Sequence, residues 1–269
     1  MQQGPPAKVA AAGVVSVLLT LAAAAGATDK FEIQVYRGEH NEPGQLSFEL
    51  HTNYTFAGRT TPSYAGETPA DRALHLTLEP ALGLTSWLEI GGYLQTMISP
   101  YGAELAGWKL RAKVVAPDRW KLPLKLGLNV ELGKVPRSVE QDGWANELRP
   151  IIGFNLWRFG LTFNPLVGFP LEGPDAGKPD FEPATKLTFN TNWGFAVGAE
   201  YYAGLGRFDV GFDPLREQEH LLFATFDLEP PVGAPEPADA WELNVGLGAG
   251  LTPGTAQHVI AKVIVGHAF

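Results

Sequence analysis

The feature that most constrains this chain is a strict two-residue alternation of apolar and polar side chains, which recurs in segments of about 10–14 residues. In the segment 45–57 the polar face carries Ser, Glu, His, Asn and Thr, and the opposite face carries Leu46, Phe48, Leu50, Tyr54 and Phe56. Strands of soluble β-sandwiches usually have about 5–6 residues, whereas a tilted strand needs about 9–11 to cross a bilayer. The longer segments found here therefore indicate strands that cross a membrane.

About twelve such segments follow one another, and an even number is what a closed antiparallel barrel of this type requires. Their predicted boundaries are 45–57, 71–84, 87–98, 105–116, 121–133, 144–155, 156–168, 181–191, 194–204, 217–229, 240–251 and 257–269. The sequence thus predicts an all-β fold, a closed antiparallel up-and-down transmembrane β-barrel of about 12 strands.

The connections and the tryptophans give two further indications of a barrel. Most odd-numbered connections are long and most even-numbered ones are short, as expected when both chain ends lie on the side of the short turns. Residues 99–104 are expected to form one of the long connections, and the Pro-rich stretch 230–239 a longer loop on the short-turn side. Five tryptophans fall at strand ends on that side, which predicts an interfacial aromatic girdle: Trp87, Trp120, Trp157, Trp193 and Trp241.

Composition excludes several other classes of protein. After residue 27 there is no run of about 20 apolar residues, so a bundle of transmembrane helices is not expected. The chain has no cysteine, which argues against a small disulfide-stabilised domain. A net charge of −9 argues against nucleic acid as a partner, because binding to phosphates requires a basic surface.

The N-terminal part divides into two regions. Residues 1–27 combine Lys8, an apolar stretch at 9–25 and the small tripeptide 25–27, which predicts a cleavable signal peptide; a single membrane anchor is the alternative. Residues 28–44 form an N-terminal periplasmic or plug-like segment, in which Phe31, Ile33 and Val35 also fit a short extra strand. Residues 45–269 form the barrel.

The last strand, 257–269, ends in Phe269 and has apolar residues at alternate preceding positions, Val259, Ala261, Val263 and Val265. This pattern resembles the terminal signature of bacterial outer-membrane barrels, although His267 departs from it. The resemblance implies the outer membrane of a Gram-negative bacterium after signal-peptide export, contact with outer-membrane lipid, and recognition of the last strand by the barrel assembly machinery. More loosely, stretch 83–91 resembles uncharacterised putative transporters related to the phenol meta-pathway outer-membrane family.

The inward-facing positions of the strand map show an asymmetry of charge. The fourth to seventh strands would form a basic wall: Lys109, Arg111, Lys113, Lys125, Arg149 and Arg158. The remaining strands would form an acidic wall: Glu49, Glu79, Glu89, Glu182, Glu200, Glu219, Asp227 and Glu242. His51 and His75 are further polar residues of the lumen. This arrangement favours a narrow pore or transporter for small polar solutes with a charge-polarised lumen. Alternatively, the charges pair with one another and fill the lumen.

Two other functions stay open. A structural or adhesive barrel without conductance is one, although its loops would be short. A lipid-modifying outer-membrane hydrolase is the other, but it needs a serine and a histidine within hydrogen-bonding reach, and no Gly-x-Ser-x-Gly motif is present. Ser47 and His51 are expected to be ordinary lumen residues. No enzyme activity, catalytic residue, cofactor or metal ligand is predicted.

Overall fold

The computed structural model describes residues 29–173, 175–228 and 241–269. These residues form twelve antiparallel strands, and the only helical element among them is a short 3₁₀ turn at Asp118–Trp120. The strands are β1 (Leu46–Gly58), β2 (Leu74–Thr85), β3 (Leu88–Ser99), β4 (Gly102–Val115), β5 (Lys125–Lys134), β6 (Trp144–Leu156), β7 (Phe159–Pro170), β8 (Asp180–Asn190), β9 (Phe195–Gly204), β10 (Glu219–Leu228), β11 (Trp241–Gly250) and β12 (Gln257–Ala268).

Each strand pairs with its neighbours in sequence, and β1 pairs with β12, which closes the sheet into a barrel. The predicted fold class and strand number are therefore confirmed. We call the end where β1 begins and β12 ends the near rim, and the opposite end the far rim. Closure leaves no sheet edge exposed, and this is the condition under which a β-structure can cross a bilayer.

The alternation seen in the sequence separates the two faces of the barrel. Outward leucines and phenylalanines are substantially exposed, as Leu50 (45%) and Leu110 (58%) illustrate, whereas the inward residues of the same strands are mostly buried. Such a continuous exposed apolar surface is costly in water but suits contact with lipid. In the described part of the chain no helix has the length and apolar character needed to span a membrane.

The predicted strand boundaries agree with the structure to within about four residues, as is usual for boundaries. The largest difference is at β5, which begins at Lys125: the chain leaves the 3₁₀ turn only at Trp120, and Pro123 lies among the expected first residues. The connection predicted at residues 99–104 is instead a tight turn between Ser99 and Gly102. The predicted signal peptide at 1–27 and the predicted loop at 230–239 lie outside the described residues.

The C-terminal residues complete an aromatic cluster at the near rim. The Phe269 backbone N–H donates to the carbonyl of Leu46, and its ring meets that of Phe48 edge-on. His267 stacks on Trp241, with ring centroids 4.7 Å apart and planes at 5°. The histidine that departs from the terminal signature thus takes the place of an aromatic residue by stacking as one.

Residues 29–44, which we call the luminal segment, lie inside the barrel and belong to no strand. At one end, Phe31 packs with Met97, next to the far-rim end of β3. At the other end, the N–H of Gly44 donates to the carbonyl of Gly83, close to the near rim. The segment therefore runs the length of the lumen before the chain turns into β1.

Candidate functional site

The inner wall binds the main chain of the luminal segment through side chains from five different strands. Four of these side chains donate to backbone carbonyls, and Asn164 both donates to and accepts from the backbone of Tyr36. The bonds are Asn53 to Lys30 O at 3.0 Å, Thr77 to Phe31 O at 3.0 Å, Lys262 to Ile33 O at 2.9 Å, Arg149 to Gln34 O at 3.1 Å, and Asn164 to Tyr36 N and O at 2.8 and 3.0 Å. These bonds replace those that a strand would obtain from a sheet.

The apolar side chains of the segment enter two buried clusters on the inner wall. Ile33 and Val35, 0% and 3% exposed, share one cluster with Ala184, Tyr202, Leu221, Phe223 and Ile260. Phe31 shares the other with Met97, Ala106, Val135 and Val139, and its ring meets that of His75 edge-on. Burying a side chain of this size contributes about 1.5–3 kcal/mol, so the clusters hold the segment firmly.

A polar network holds the middle of the segment on the opposite side. The hydroxyl of Tyr36 bonds to the carboxylate of Glu32 and lies 2.5 Å from the hydroxyl of Tyr93. The guanidinium of Arg149 lies over the Tyr36 ring, 4.6 Å from its centroid, and 3.8 Å from the Glu32 carboxylate. Glu32 and Tyr36 of the segment thus take part in a network that also includes residues of β3 and β6.

At the near rim the segment is anchored by Asn41. Its backbone N–H donates to Glu89 at 2.6 Å, and its side-chain amide donates to the Ser47 hydroxyl at 2.7 Å. Gly83 lies directly beneath, and a Cβ atom there would be 2.2 Å from the carbonyl oxygen of Glu42. Only a residue without a side chain lets the two backbones approach this closely.

The cavity found beside the segment is small. A cavity of about 20 Å³ remains next to the segment, lined by residues that include Glu147, Glu182 and Tyr202. This is room for about one water molecule. Beside these residues the segment therefore fills the lumen.

The residues predicted as a basic wall lie in different surroundings. Lys109, Arg111, Lys113 and Arg149 point inward, and each is paired with carboxylates. The pairs are Lys109 with Asp29 and Glu131, Arg111 with Glu79 and Glu89 at 2.6 and 2.7 Å, Lys113 with Glu89 at 2.9 Å, and Arg149 with Glu147 at 2.6 Å.

Two members of the predicted basic wall lie at the near rim. Lys125 is half-exposed at the mouth of the barrel and pairs with Glu39 of the luminal segment at 3.0 Å. Arg158 lies in the turn between β6 and β7, where its guanidinium covers the rings of Trp157 and Phe189 at 5.6 and 4.8 Å. Because Phe189 is on the lipid-facing side of β8, Arg158 belongs to the aromatic rim and lies apart from the inner wall.

Most of the residues predicted as an acidic wall are buried and paired. Glu200 bonds to Lys262 and lies 3.0 Å from Lys186, which also pairs with Asp227 at 2.5 Å. Glu79 and Glu89 pair with Arg111, and Glu49 accepts from the side chain of Gln34. Glu182 and Glu219 face the lumen, and Glu242 is exposed at the near-rim mouth.

These pairs place opposite charges next to one another along the wall. Removing one partner from a buried pair leaves an uncompensated charge and typically costs about 3–5 kcal/mol. The pairs therefore fix the positions of the luminal side chains that hold the segment. The lumen combines the basic side chains of β4–β6 with carboxylates from the adjacent strands.

Glu49, His51 and Glu79 form a group of potential metal ligands whose ligand atoms lie within 4.8 Å of one another. The sequence did not indicate this group. Arg111 lies 2.6 Å from Glu79 and supplies the positive charge that a metal ion would bring. The imidazole of His51 faces Glu79 at 3.1 Å while the Ser47 hydroxyl accepts from Asn41, so this serine and histidine have separate partners.

The apolar inner-wall residues are the part of the site that the strand map did not identify. Leu221, Phe223 and Ile260 occupy positions of the same parity as the charged luminal residues Glu219 and Lys262. A signal was present on the neighbouring strand, where Gly246 and Gly248 lie against the Phe223 ring. Apolar residues on the polar face of a strand, opposite glycines, indicate that something packs inside the barrel.

Among the loop residues, Glu140 has a shifted acidity. Burial and the negative charge of Asp29 raise the pKa of Glu140 to about 7. The loop that carries Glu140 joins β5 to β6 at the far rim, beside the start of the luminal segment. The protonation state of this loop therefore changes near neutral pH.

Comparisons with known proteins establish the fold of the chain. No family model and no curated protein matches it. An outer membrane channel from Pseudomonas putida F1 aligns with a TM-score of 0.55 at 12% identity, covering 88% of this chain and 100% of that channel. NanC porin aligns with a TM-score of 0.52 at 7% identity, over 82% of this chain and 98% of the porin. KdgM porin aligns with a TM-score of 0.51 at 9% identity, over 83% of this chain and 99% of the porin. The chain thus shares its barrel architecture with channel proteins.

Proposed function

We propose that this protein is an outer-membrane channel for small polar solutes, which the luminal segment closes in the conformation described here. The observation that carries the proposal is a lumen wide enough to hold an extended polypeptide, lined largely by polar side chains and occupied by a segment that belongs to no strand. The segment is held by side-chain contacts with the wall, so it can leave without breaking the sheet. The shared architecture with three channel proteins supports the same function.

The proposal includes the location and assembly of the protein. The apolar outer surface and the near-rim aromatic residues fit a lipid bilayer. A cleavable N-terminal signal peptide and recognition of the last strand by the barrel assembly machinery would bring the chain to the outer membrane of a Gram-negative bacterium. Phe269, which closes the near rim beside Phe48, is the residue proposed for that recognition.

A charge-polarised lumen is part of the proposal for the open state. With the segment displaced, Lys109 and Arg149 would lose their contacts with Asp29 and Glu32. The wall formed by β4–β6 would then present basic groups to a solute, while the carboxylates of Glu182, Glu219 and Glu242 would face it from other strands. Opposed charges of this kind favour small polar and zwitterionic solutes.

The experiment compares the full chain with a variant that lacks residues 29–40, both folded in detergent and placed in planar bilayers. The deletion removes the contacts inside the lumen but keeps the anchor at Asn41. We expect a stable conductance from the variant and little or none from the full chain. A variant that folds, as circular dichroism would show, and yet conducts no current would overturn the channel proposal.

The same samples separate the channel from the two other candidate functions. A lipase assay on the folded protein tests the hydrolase, for which the separate partners of Ser47 and His51 give no support. An adhesive barrel would show neither conductance nor hydrolysis. Solute flux into liposomes, measured with uncharged, anionic, cationic and zwitterionic solutes of equal size, then tests the charge-polarised lumen.

A further inference from the structure

We propose that the lumen is a binding site for an extended peptide, and that the luminal segment occupies it as a tethered occupant. The inference rests on the proposed channel and adds a second class of ligand to its small polar solutes: short peptides in extended conformation, with apolar side chains at alternate positions. It follows from the way in which the wall contacts the segment, which is through both the main chain and a regular pattern of side-chain pockets.

Recognition of the main chain is the first step. Five side chains from β1, β2, β6, β7 and β12 bond to backbone atoms of residues 30, 31, 33, 34 and 36. Contacts of this kind do not depend on the sequence of the bound peptide, as in the addition of a strand to a sheet edge. Asn164 bonds to both the N–H and the carbonyl of Tyr36, as a residue of a paired strand would.

The inner wall also has hydrogen-bonding capacity that the luminal segment leaves unused. Gln95 lies opposite Thr77 in the β2–β3 register and is fully buried. Neither polar atom of its side-chain amide has a hydrogen-bond partner among the described residues. A buried amide without partners is costly unless something binds there. It therefore provides one more donor and acceptor next to the residue that binds the Phe31 carbonyl.

The side-chain pockets define the chemistry of the bound peptide. Phe31 fills one apolar cluster, and Ile33 and Val35 share the other, so every second residue is apolar. Between them, Glu32 faces Arg149 and bonds to Tyr36. The site therefore selects peptides of the pattern apolar–acidic–apolar–polar–apolar, ahead of an aromatic residue with a hydroxyl group.

The tether explains why the site is occupied by the protein's own chain. The last residues of the luminal segment, 41–44, together with residue 45 tether its bound part to β1, and a short tether gives an effective concentration in the millimolar range. A free peptide must compete with this tethered occupant. A cut in the tether therefore allows a direct test, since the segment then becomes an ordinary ligand that can be exchanged.

The test uses the full chain with a protease site inserted between Glu42 and Pro43, which are exposed. After folding, cleavage and washing, a fluorescently labelled peptide with the sequence of residues 29–40 is titrated, and its anisotropy is measured. A second peptide replaces Phe31, Ile33 and Val35 by other apolar residues, and a third replaces them by Asp. We expect the first two peptides to bind and the third to bind at least about tenfold more weakly.

Matched variants of the wall test the recognition of the main chain. Thr77→Ala removes the bond to the Phe31 carbonyl, whereas Thr225→Ala removes an inner-wall hydroxyl that has no partner among the described residues. Asn164→Ala removes two bonds, so we expect binding about tenfold weaker for this variant, about threefold weaker for Thr77→Ala, and unchanged for Thr225→Ala. If Asn164→Ala does not fold, the threonine pair still decides the question.

The outcomes separate this inference from the channel itself. Equal binding of all three peptides, or no binding after proven release of the segment, overturns the peptide site, whatever the conductance. Binding of the first two peptides, with the expected order of the variants, supports it even in protein that carries no current. If the cleaved protein conducts and the bound peptides block the current, both the channel and its peptide site are supported.

Discussion

The two halves of the lumen hold the same segment by different physical means. The half formed by β2–β6 uses charges and hydroxyl groups, with Tyr93 and Arg149 around Tyr36 and Glu32. The half formed by β8–β10 and β12 is apolar around Ile33 and Val35. Apart from Phe31, which packs with Met97 and Ala106 in the first half, the segment therefore has one polar and one apolar side, each matched to the wall that it faces.

The difference has consequences for release of the segment. When the segment leaves the polar half, water can solvate the groups that lose their partners, so the net loss is small for each bond. When it leaves the apolar half, the surfaces of Tyr202, Phe223 and Ile260 come into contact with water. The apolar half should thus supply most of the free energy that keeps the lumen closed. The polar half should determine how the segment is oriented inside the barrel.

The largest effect is expected from Ile33→Asp. Ile33 is fully buried in the apolar cluster, and Lys262, which donates to its carbonyl, is already bonded to Glu200, so a carboxylate there would lie buried among apolar side chains. We expect the free energy that holds the segment in the lumen to fall by about 3 kcal/mol or more. The ratio of closed to open protein then falls by about two orders of magnitude. Conductance of the full-length variant measures this change directly.

Ile33→Val is the matched control for that substitution. It removes one methylene group from the same position and should lower the free energy that holds the segment in the lumen by only about 1 kcal/mol. If both variants stay closed to the same degree as the unaltered chain, the apolar half does not hold the segment, and the proposed difference between the two halves is wrong.

The strands of the barrel and its outer surface could be predicted from the sequence. Lipid on one side and the lumen on the other impose the period of two, so the local pattern fixes each strand and its orientation, as for Leu50 and His51 in β1. The aromatic near rim followed from the tryptophan positions. These features depend on neighbours in sequence, and this is why they could be predicted.

The interior could be predicted only in part. Phe31, Ile33 and Val35 alternate as they would in a strand, and nothing local distinguishes a strand from a segment inside the barrel. Contacts between Tyr36 and Asn164, or Ile33 and Lys262, join residues far apart in the chain. The inward direction of most charged residues could be predicted from their odd or even position along a strand. Their pairing could not, because it depends on the register between strands. Arg158 was predicted to face inward but lies in a turn, where this alternation does not apply.

A smaller effect is expected from Tyr36→Phe in the polar half. The change removes the hydroxyl that joins Glu32 to Tyr93 and leaves the ring over which Arg149 lies. The free energy that holds the segment in the lumen should fall by only about 1–2 kcal/mol, because the bonds between Asn164 and the main chain of Tyr36 remain. Conductance should therefore rise less than in Ile33→Asp.

Tyr201→Phe makes the same chemical change away from the segment. The Tyr201 hydroxyl lies 2.5 Å from His220 and takes no part in the luminal network. It should leave the conductance unchanged. A rise as large as that of Tyr36→Phe would mean that the hydroxyl groups act through general stability of the barrel rather than through the segment.

The smallest effect is a dependence on pH through Glu140. Burial and Asp29 raise its pKa from 4.5 to about 7, with a further contribution from Glu147, while Lys109 and Lys30 oppose the shift. A raised pKa means that the closed state binds the proton more tightly, so stability of this state is greatest at low pH and falls as the pH rises through about 7. Conductance of the full chain should hence be higher at pH 8 than at pH 6. Glu140→Gln keeps the shape of the side chain but does not titrate, so the conductance of this variant should be the same at pH 6 and pH 8. An undiminished pH dependence in this variant would show that another group in the far-rim loops controls how the segment binds in the lumen.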